Sequence, residues 1–414
     1  MTGPGVAAVR GSRRWLAGSG LLAAILVVVV VVAASGSGDD DSVDATTTDA
    51  PPPERVGEGA AGGPRRVLWS ADLDADEVVV RQGVLVVLAR DGHGVTAYDV
   101  GTGEERWRYR DDDGLAEAVR VAADRVSLVF QRGTSLIGER ERVTLDLLSG
   151  RRADGGPVGL SEVGRTGDVA VAFNERSMAG LEVDSGDPAW RWVPAVDCGG
   201  ERHVVVAARE ADGVALAQVR CRPRAGTDQT PEFAPGAVGA VDAATGAQLW
   251  SVRLPPGGAL LDAGPGGVLI MSGPSAASQV AIHGLRTGTP GPALAIDPSW
   301  APGLTGHLVG DGWCGVRPAG GGTSIACYGP AGQPHGSADL FAPPAASVAS
   351  GGVLVVAADS GRPQVSVVAA GDLRAPPVTI TGELPDGADR LLVSGGAVVV
   401  VGGSGEVAVL AQAE

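Results

Sequence analysis

The side chains in this chain with the chemistry for catalysis or metal binding are few and scattered. His93, His203, His283, His307 and His335 are the only histidines, and no H-E-x-x-H pair, G-x-S-x-G elbow or glycine-rich phosphate loop accompanies them. His93 lies in Asp91-Gly92-His93-Gly94, a turn between predicted strands, and is expected to be a solvated turn residue and not a ligand. Asp72, Asp74 and Asp76 resemble the opening of a calcium loop. An EF-hand needs glycine at its sixth position and a bidentate acid at its twelfth; Glu77 and Gly83 stand there instead. An acidic, solvent-facing connection is the expected reading for this run, and also for Asp111-Asp112-Asp113. All 32 basic residues are arginine. The absence of lysine rules out Schiff-base, Walker-A and kinase-type lysine chemistry and points to a high-GC bacterial genome. No catalytic residue, metal ligand or cofactor is therefore expected.

The four cysteines, Cys198, Cys221, Cys314 and Cys327, form two close pairs, each flanking a candidate hairpin. Local pairing as Cys198–Cys221 and Cys314–Cys327 is expected in an exported domain. A zinc site is the alternative, but C-x-x-C and a nearby histidine pair are both missing.

Several elements would position these residues. Arg10, Arg13 and Arg14 precede an apolar stretch from Trp15 to Ala34, and Asp39, Asp40 and Asp41 follow it. Twenty helical residues span roughly 30 Å, the thickness of a bilayer core. The segment 15–34 is read as a transmembrane helix, with residues 1–14 cytoplasmic and the remainder outside. A cleaved signal peptide is the competing reading, because the unbroken apolar core, Leu21 to Ala34, is short and Val32-Ala33-Ala34 could be a cleavage site. No cysteine lies close after the apolar run, which argues against a lipid anchor. Residues 35–66, rich in Ser, Gly, Asp, Thr and Pro, are expected to be a disordered, solvated linker. The net charge of −16 argues against nucleic-acid binding.

Beyond residue 67 a pattern recurs. Asp99 to Gly103 leads to Trp107, Glu182 to Gly186 leads to Trp190, and Asp242 to Gly246 leads to Trp250; Asp146 to Gly150 shows the turn without the Trp. An acidic residue stands four before each Gly, and Ser or Thr stands one before it. The Gly suits a backbone at positive φ, and the acidic and hydroxyl side chains suit hydrogen bonds to the turn amides. A lone hairpin cannot bury the indole, so stacked copies are implied. Weaker turns follow at Gly288, Gly332 and Gly371.

These segments resemble the repeat of pyrroloquinoline-quinone (PQQ)-type β-propellers, whose signature is an apolar strand, Asp, Thr-Gly and then Trp. The resemblance implies one four-stranded blade per repeat, with the Trp docked between blades. An all-β, eight-bladed propeller over residues 67–414 is expected, with seven blades as the alternative. The strand Val67 to Ser70, carrying Trp69, is expected to pair with Val407 to Leu410, so that both ends of the domain share one blade. Trp69, Trp107, Trp190 and Trp250 are then blade-docking residues.

Quinoprotein dehydrogenases of the same fold are usually longer, with a vicinal disulfide and acidic calcium ligands. This chain has no vicinal cysteine pair. The expected function is non-enzymatic binding or scaffolding outside the cell membrane, by a monomer, for an unidentified protein or cell-envelope partner. The architecture resembles the PQQ-repeat lipoproteins that help assemble outer-membrane proteins. A propeller oxidoreductase or hydrolase is the alternative. A sensor ectodomain would need a cytoplasmic receiver, and only about 14 residues precede the apolar stretch.

Overall fold

A computed structural model describes residues 43–53 and 65–412, except 123, 133–139, 154–159, 197, 199–201, 223–234, 274–277, 298–303, 341, 351–352, 360–362, 370–377, 381–383 and 395–396. Two strands precede the first full sheet, β1 (Val43–Thr46) and β2 (Arg65–Asp72). Blade 1 contains β3 (Ala75–Arg81), β4 (Val84–Ala89), β5 (Gly94–Asp99) and β6 (Glu105–Asp111). Blade 2 contains β7 (Gly114–Ala122), β8 (Arg125–Arg132) and β9 (Arg140–Asp146). Blade 3 contains β10 (Ser161–Thr166), β11 (Val169–Asn174), β12 (Ser177–Glu182) and β13 (Pro188–Trp192). Blade 4 contains β14 (His203–Ala211), β15 (Val214–Cys221), β16 (Gly236–Asp242) and β17 (Gln248–Leu254). Blade 5 contains β18 (Ala259–Gly264), β19 (Gly267–Ser272), β20 (Gln279–His283) and β21 (Leu294–Ala295). Blade 6 contains β22 (Thr305–Val309), β23 (Gly312–Ala319), β24 (Gly322–Tyr328) and β25 (Pro334–Leu340). Blade 7 contains β26 (Pro344–Ser350), β27 (Val353–Asp359), β28 (Pro363–Ala369) and β29 (Val378–Ile380). Blade 8 contains β30 (Ala388–Ser394), β31 (Ala397–Gly402) and β32 (Glu406–Gln412), completed by β2.

All pairings are antiparallel, and each sheet runs outward in chain order from its first strand, apart from the outermost β1 on blade 1 and β2 on blade 8. The first strands β3, β7, β10, β14, β18, β22, β26 and β30 touch one another in sequence, and β30 touches β3. They line a central channel. The fold is therefore an eight-bladed propeller, and the seven-blade alternative is excluded.

The second strand of each blade explains why the ring forms. In β4, Val84, Val86 and Leu88 pack against blade 2, while Leu85 and Val87 pack against blade 8. In β31, Val398 and Val400 pack against blade 7, while Ala397, Val399 and Val401 pack against blade 1. Side chains alternate between the two faces of a strand, so an unbroken apolar run needs a partner on both faces. Each of the eight blade interfaces accordingly has its own apolar cluster, including the one between blades 8 and 1.

The ends of the domain meet as the sequence suggests. Val67 is opposite Leu410 and Trp69 is opposite Val409, with a bulge between them, and the pairing extends from Arg65 to Asp72. The linker expectation needs correction. Within 35–66, Val43–Thr46 forms a fifth, outermost strand on blade 1, with Val43 opposite Asp111 and Thr46 opposite Arg108. The physical reason is a row of arginines on β6 that meets acceptors on the incoming chain. Arg108 pairs with Asp44, the Arg108 amide donates to Thr46 Oγ1, and Arg106 Nη2 donates to the carbonyls of Ala50 and Pro51. Arg151 pairs with Asp49 and the Thr48 amide donates to the Ser149 carbonyl, which extends the contact to blade 2. The segment 15–34 lies outside the described residues. Among those described, no helix is long and apolar enough to cross a membrane.

Removing residues 65–72 takes the outermost strand from blade 8 and exposes the β32 edge. The variant is expected to aggregate during purification, whereas an intact monomer with an unchanged melting temperature on size-exclusion chromatography and calorimetry would refute this closure.

Candidate functional site

The recurring motif builds a latch between blades. In three of the turns the carboxylate at the start accepts from backbone amides within the turn, and in a fourth Glu182 accepts from the Ser185 hydroxyl. Asp99 Oδ1 accepts from Gly101 and Thr102, Asp146 Oδ1 from Leu148 and Ser149, and Asp242 Oδ1 from Ala244 and Thr245. The hydroxyl of Thr102, Ser149, Ser185, Thr245 or Thr287 accepts from the amide two residues on. Asp242 is held below the ordinary carboxylate range chiefly by the Thr245 hydroxyl, with the Thr245 and Ala244 amides adding. Gly103, Gly150, Gly186, Gly246 and Gly288 all have φ between 65° and 75°.

The glycines also carry the indole of the preceding blade. A Cβ on Gly150 would lie 2.6 Å from Trp107, on Gly246 2.8 Å from Trp190, on Gly288 2.7 Å from Trp250, and on Gly103 2.8 Å from Trp69. Each indole Nε1 then donates to a carbonyl in the same turn: Trp69 to Val100, Trp107 to Leu147, Trp190 to Ala243 and Trp250 to Leu285, at 2.8–2.9 Å. Trp69 makes this contact from blade 8 to blade 1, so the latch crosses the closure. Gly186 shares the positive φ of these glycines. Gly332 has the same positive φ, with Leu294 the nearest side chain, and Gly371 lies outside the described residues.

Cys198, in the connection between blades 3 and 4, is placed at bonding distance from Cys221 at the end of β15, with Cα atoms 5.4 Å apart. Cys314 and Cys327 are directly opposite on β23 and β24, also with sulfurs at bonding distance. His93 caps its turn, its amide donating to Asp91 Oδ1. The Asp72-x-Asp74-x-Asp76 run joins blades 8 and 1, with Asp74 ion-paired to Arg90.

Sequence reasoning did not identify the polar groups lining the channel. Arg165 on β10 binds both oxygens of Asp124 in the β7–β8 turn, and its Nε donates to Glu162 at 2.8 Å. Arg81, on β3, reaches past blade 2 to the same Glu162, whose side chain is 0 % exposed. Burial, then repulsion by Arg165, lowers the Arg81 pKa to about 10, so it stays charged at neutral pH. Glu77 accepts from the Val119 amide and pairs with Arg120, tying β3 to β7. Across the channel, Asp262 on β18 accepts from the Leu308 amide, and His307 Nε2 lies 2.8 Å from Ser347 Oγ on β26. Burial pushes the His307 pKa below its ordinary value, Arg209 adds to this and Asp262 opposes it. These residues come from different blades at no fixed spacing, so no local motif marks them.

The His307–Ser347 contact has the form of a base–nucleophile pair. Ser347 sits in mid-strand, paired with Val356. Successive amides of a strand point to opposite edges, so the backbone amides flanking Ser347 do not converge on one point. Among the described residues no group of three or more His, Cys, Asp or Glu side chains is arranged to hold a metal. A cavity of about 320 Å³ lies away from the channel on blade 8, lined by Ser70, Asp72, Pro385, Asp386 and Glu406 among others.

The fold and its latches define an eight-bladed β-propeller whose turn motif resembles the PQQ-type repeat. Residues 61–172 match the family model described as outer membrane protein assembly factor BamB. Curated proteins give no sequence match. Among solved structures, the propeller of Dos1 is similar at 9% identity and TM-score 0.53, over 84% of this chain and 96% of that one. BamB from Moraxella catarrhalis is 15% identical at TM-score 0.49, over 84% of this chain and 100% of its own. The quinohemoprotein alcohol dehydrogenase of Comamonas testosteroni is 14% identical at TM-score 0.48, over 87% and 79%.

The latch separates two costs that a glycine substitution can carry. Gly167 has φ +56° and open space around it. Gly167→Ala should therefore cost only about 1 kcal/mol of left-handed strain. Gly150→Ala adds overlap with Trp107 and should cost roughly 3 kcal/mol, and Trp107→Ala about 3–5 kcal/mol; equal losses for the two glycines in chemical denaturation would contradict the latch. His307 gives a pH test. Its folded pKa lies below the ordinary 6.5, so the unfolded chain binds a proton that the folded chain resists. Its contribution is complete above that pH and is lost as pH falls below it. The melting temperature of His307→Gln should drop less than that of wild type between pH 7.5 and 5.5.

Proposed function

We propose that this chain is a non-enzymatic binding or scaffolding propeller, held outside a membrane by residues 15–34, with its partner bound on one face. The observation that carries this reading is where the chain varies in length. The first-to-second strand turns are uniform: Gln82–Gly83, Gly167–Asp168, Asp212–Gly213 and Gly310–Asp311 are two residues each, as are the other four. Of the third-to-fourth strand turns, those at 100–104, 183–187, 243–247 and 329–333 are five residues each, and the one at 284–293 is longer. Both sets lie on the same face, because the Val100 amide donates to the Gly83 carbonyl and the Ala243 amide to the Gly213 carbonyl. On the opposite face, connections range from two residues at 175–176 to the long spans 193–202 and 222–235. A uniform face keeps the blades in register, whereas a variable face on a rigid scaffold is where binding specificity resides.

The family model named for an assembly factor supports a scaffolding role. The mid-strand setting of Ser347 weighs against the competing hydrolase reading. The paired cysteines fit an oxidising compartment, and a monomer is the form proposed.

Intact mass after alkylation without reductant is expected to show no modified thiol. Four alkylated thiols would remove the disulfide support for export. Each disulfide closes a short loop, and its removal should cost about 3 kcal/mol. For function, a fluorophosphonate probe is expected to leave Ser347 unlabelled, and a covalent adduct there would overturn the non-enzymatic reading. Protein retained from detergent-solubilised native membranes should be lost at least tenfold with Glu175→Arg plus Arg176→Glu, on the variable face, and kept with Asp168→Arg, on the uniform face.

A further inference from the structure

We infer that the variable face is turned toward the membrane and that its partner is a protein embedded in that membrane. This rests on the proposed anchor at residues 15–34, and on three observations about how the chain enters the fold.

Strand β1 runs antiparallel to β6, with Val43 opposite Asp111 at the end where β6 leaves for blade 2. That end belongs to the variable face, since the Asp111 amide donates to the carbonyl of His93 in the β4–β5 connection. The chain then descends the rim. Thr48 reaches the blade 2 latch turn at Ser149, and Pro53 lies against Gly83 in the β3–β4 turn. Residues 47–53 therefore belong to the uniform face, and the chain enters from the opposite one.

The free tether is therefore short. Only residues 35–42 separate the apolar stretch from β1. Whatever their conformation, eight residues reach no further than about 30 Å. A tether ending at residue 64 would reach roughly 100 Å and would allow any orientation. With β1 in place, the variable-face rim of blade 1 is confined to the bilayer side.

The surface beside this entry point indicates the partner. Asp72, Asp74, Asp91, Asp112 and Asp113 stand there against Arg90 and Arg110. Leu115 is 52% exposed among them. An acidic rim is repelled by anionic headgroups, so the lipid surface itself is a poor ligand. An apolar residue within an acidic surround suits a basic, partly apolar protein segment. A membrane protein presenting such a segment at the bilayer surface meets both the reach and the charge requirement.

The test uses the full chain in its native membrane, with a clickable unnatural residue at Glu175 or at Asp168. These two exposed sites lie on opposite faces of blade 3. A dye at 175 should show at least twofold higher energy transfer to headgroup-labelled phosphatidylethanolamine than a dye at 168. Thr46→Pro together with Asp44→Arg, which releases β1, should bring the two values together. A photo-crosslinker at Leu115 should give an adduct whose second component, identified by mass spectrometry, is a protein that resists carbonate extraction from membranes lacking this chain. Equal or reversed energy transfer in the unreleased chain would overturn the orientation, and crosslinking to lipid alone would overturn the partner. Chain released by carbonate, with a mature N-terminus beyond residue 34, would instead show that the anchor itself is wrong.

Discussion

An apolar strand that is dry on both faces cannot lie at the end of a stack, and the rest of this structure depends on that constraint. Strands such as β4 and β31 send alternate side chains into two different interfaces. Any open arrangement would leave two such faces in water. Closing the ring with β2 beside β32 removes both at once. The indole–glycine latch then sets how the blades sit against each other. It fixes a ring on a position that admits no Cβ and orients it with one hydrogen bond to the same turn. Burial supplies the attraction, while the latch supplies the register.

The latch was legible in the sequence because all of its parts lie within nine residues of one another or at the equivalent place in the next repeat. Asp99, Thr102, Gly103 and Trp107 report a turn, a positive φ and a ring in need of a neighbour. Eight blades could be counted from those turns even where no Trp follows, since Gly288 and Gly332 keep the positive φ of the turn. Ring closure was legible because Val67 to Ser70 had no partner nearby and the last strands had none either. What could not be read was chemistry assembled across blades. Arg81, Asp124, Glu162 and Arg165 come from three blades, and His307 and Ser347 from two more. Asp124 lies in a turn and the others on innermost strands whose composition is otherwise unremarkable, so proximity arises only once the ring exists. The strand β1 escaped notice for a different reason. Val43 to Thr46 lies among residues of linker composition, and its order comes from arginines on β6.

The two faces divide the work of the molecule. Two-residue turns between first and second strands, beside the carboxylate caps and indole contacts, hold one side in register. On the other side, connections differ from blade to blade while the strands beneath them do not. The channel between them carries ion pairs on blades 1 to 3 and a half-buried histidine on blade 6. These groups are satisfied by one another, which suits a structural lining that spans non-adjacent blades. Function on such a scaffold belongs to side chains that the rigid side leaves free, in line with the general separation of fold from activity.

The position of β2 also sets the order in which the molecule can be completed. Synthesis delivers β2 early and β32 last, so Trp69 must wait for Val409 before its strand has a partner. The strand β1 waits a shorter time, for β6. Local hairpins within each blade can form as they emerge, but the ring is closed by the contact of greatest sequence separation, which is the slowest kind to find. Until then blade 8 lacks a strand and blade 1 lacks its neighbour, and both apolar faces remain open to other chains. A truncated product, stopped anywhere before its final strand, would keep most of its hairpins and still lack the cooperative unit, making the C-terminal residues the checkpoint for the whole domain.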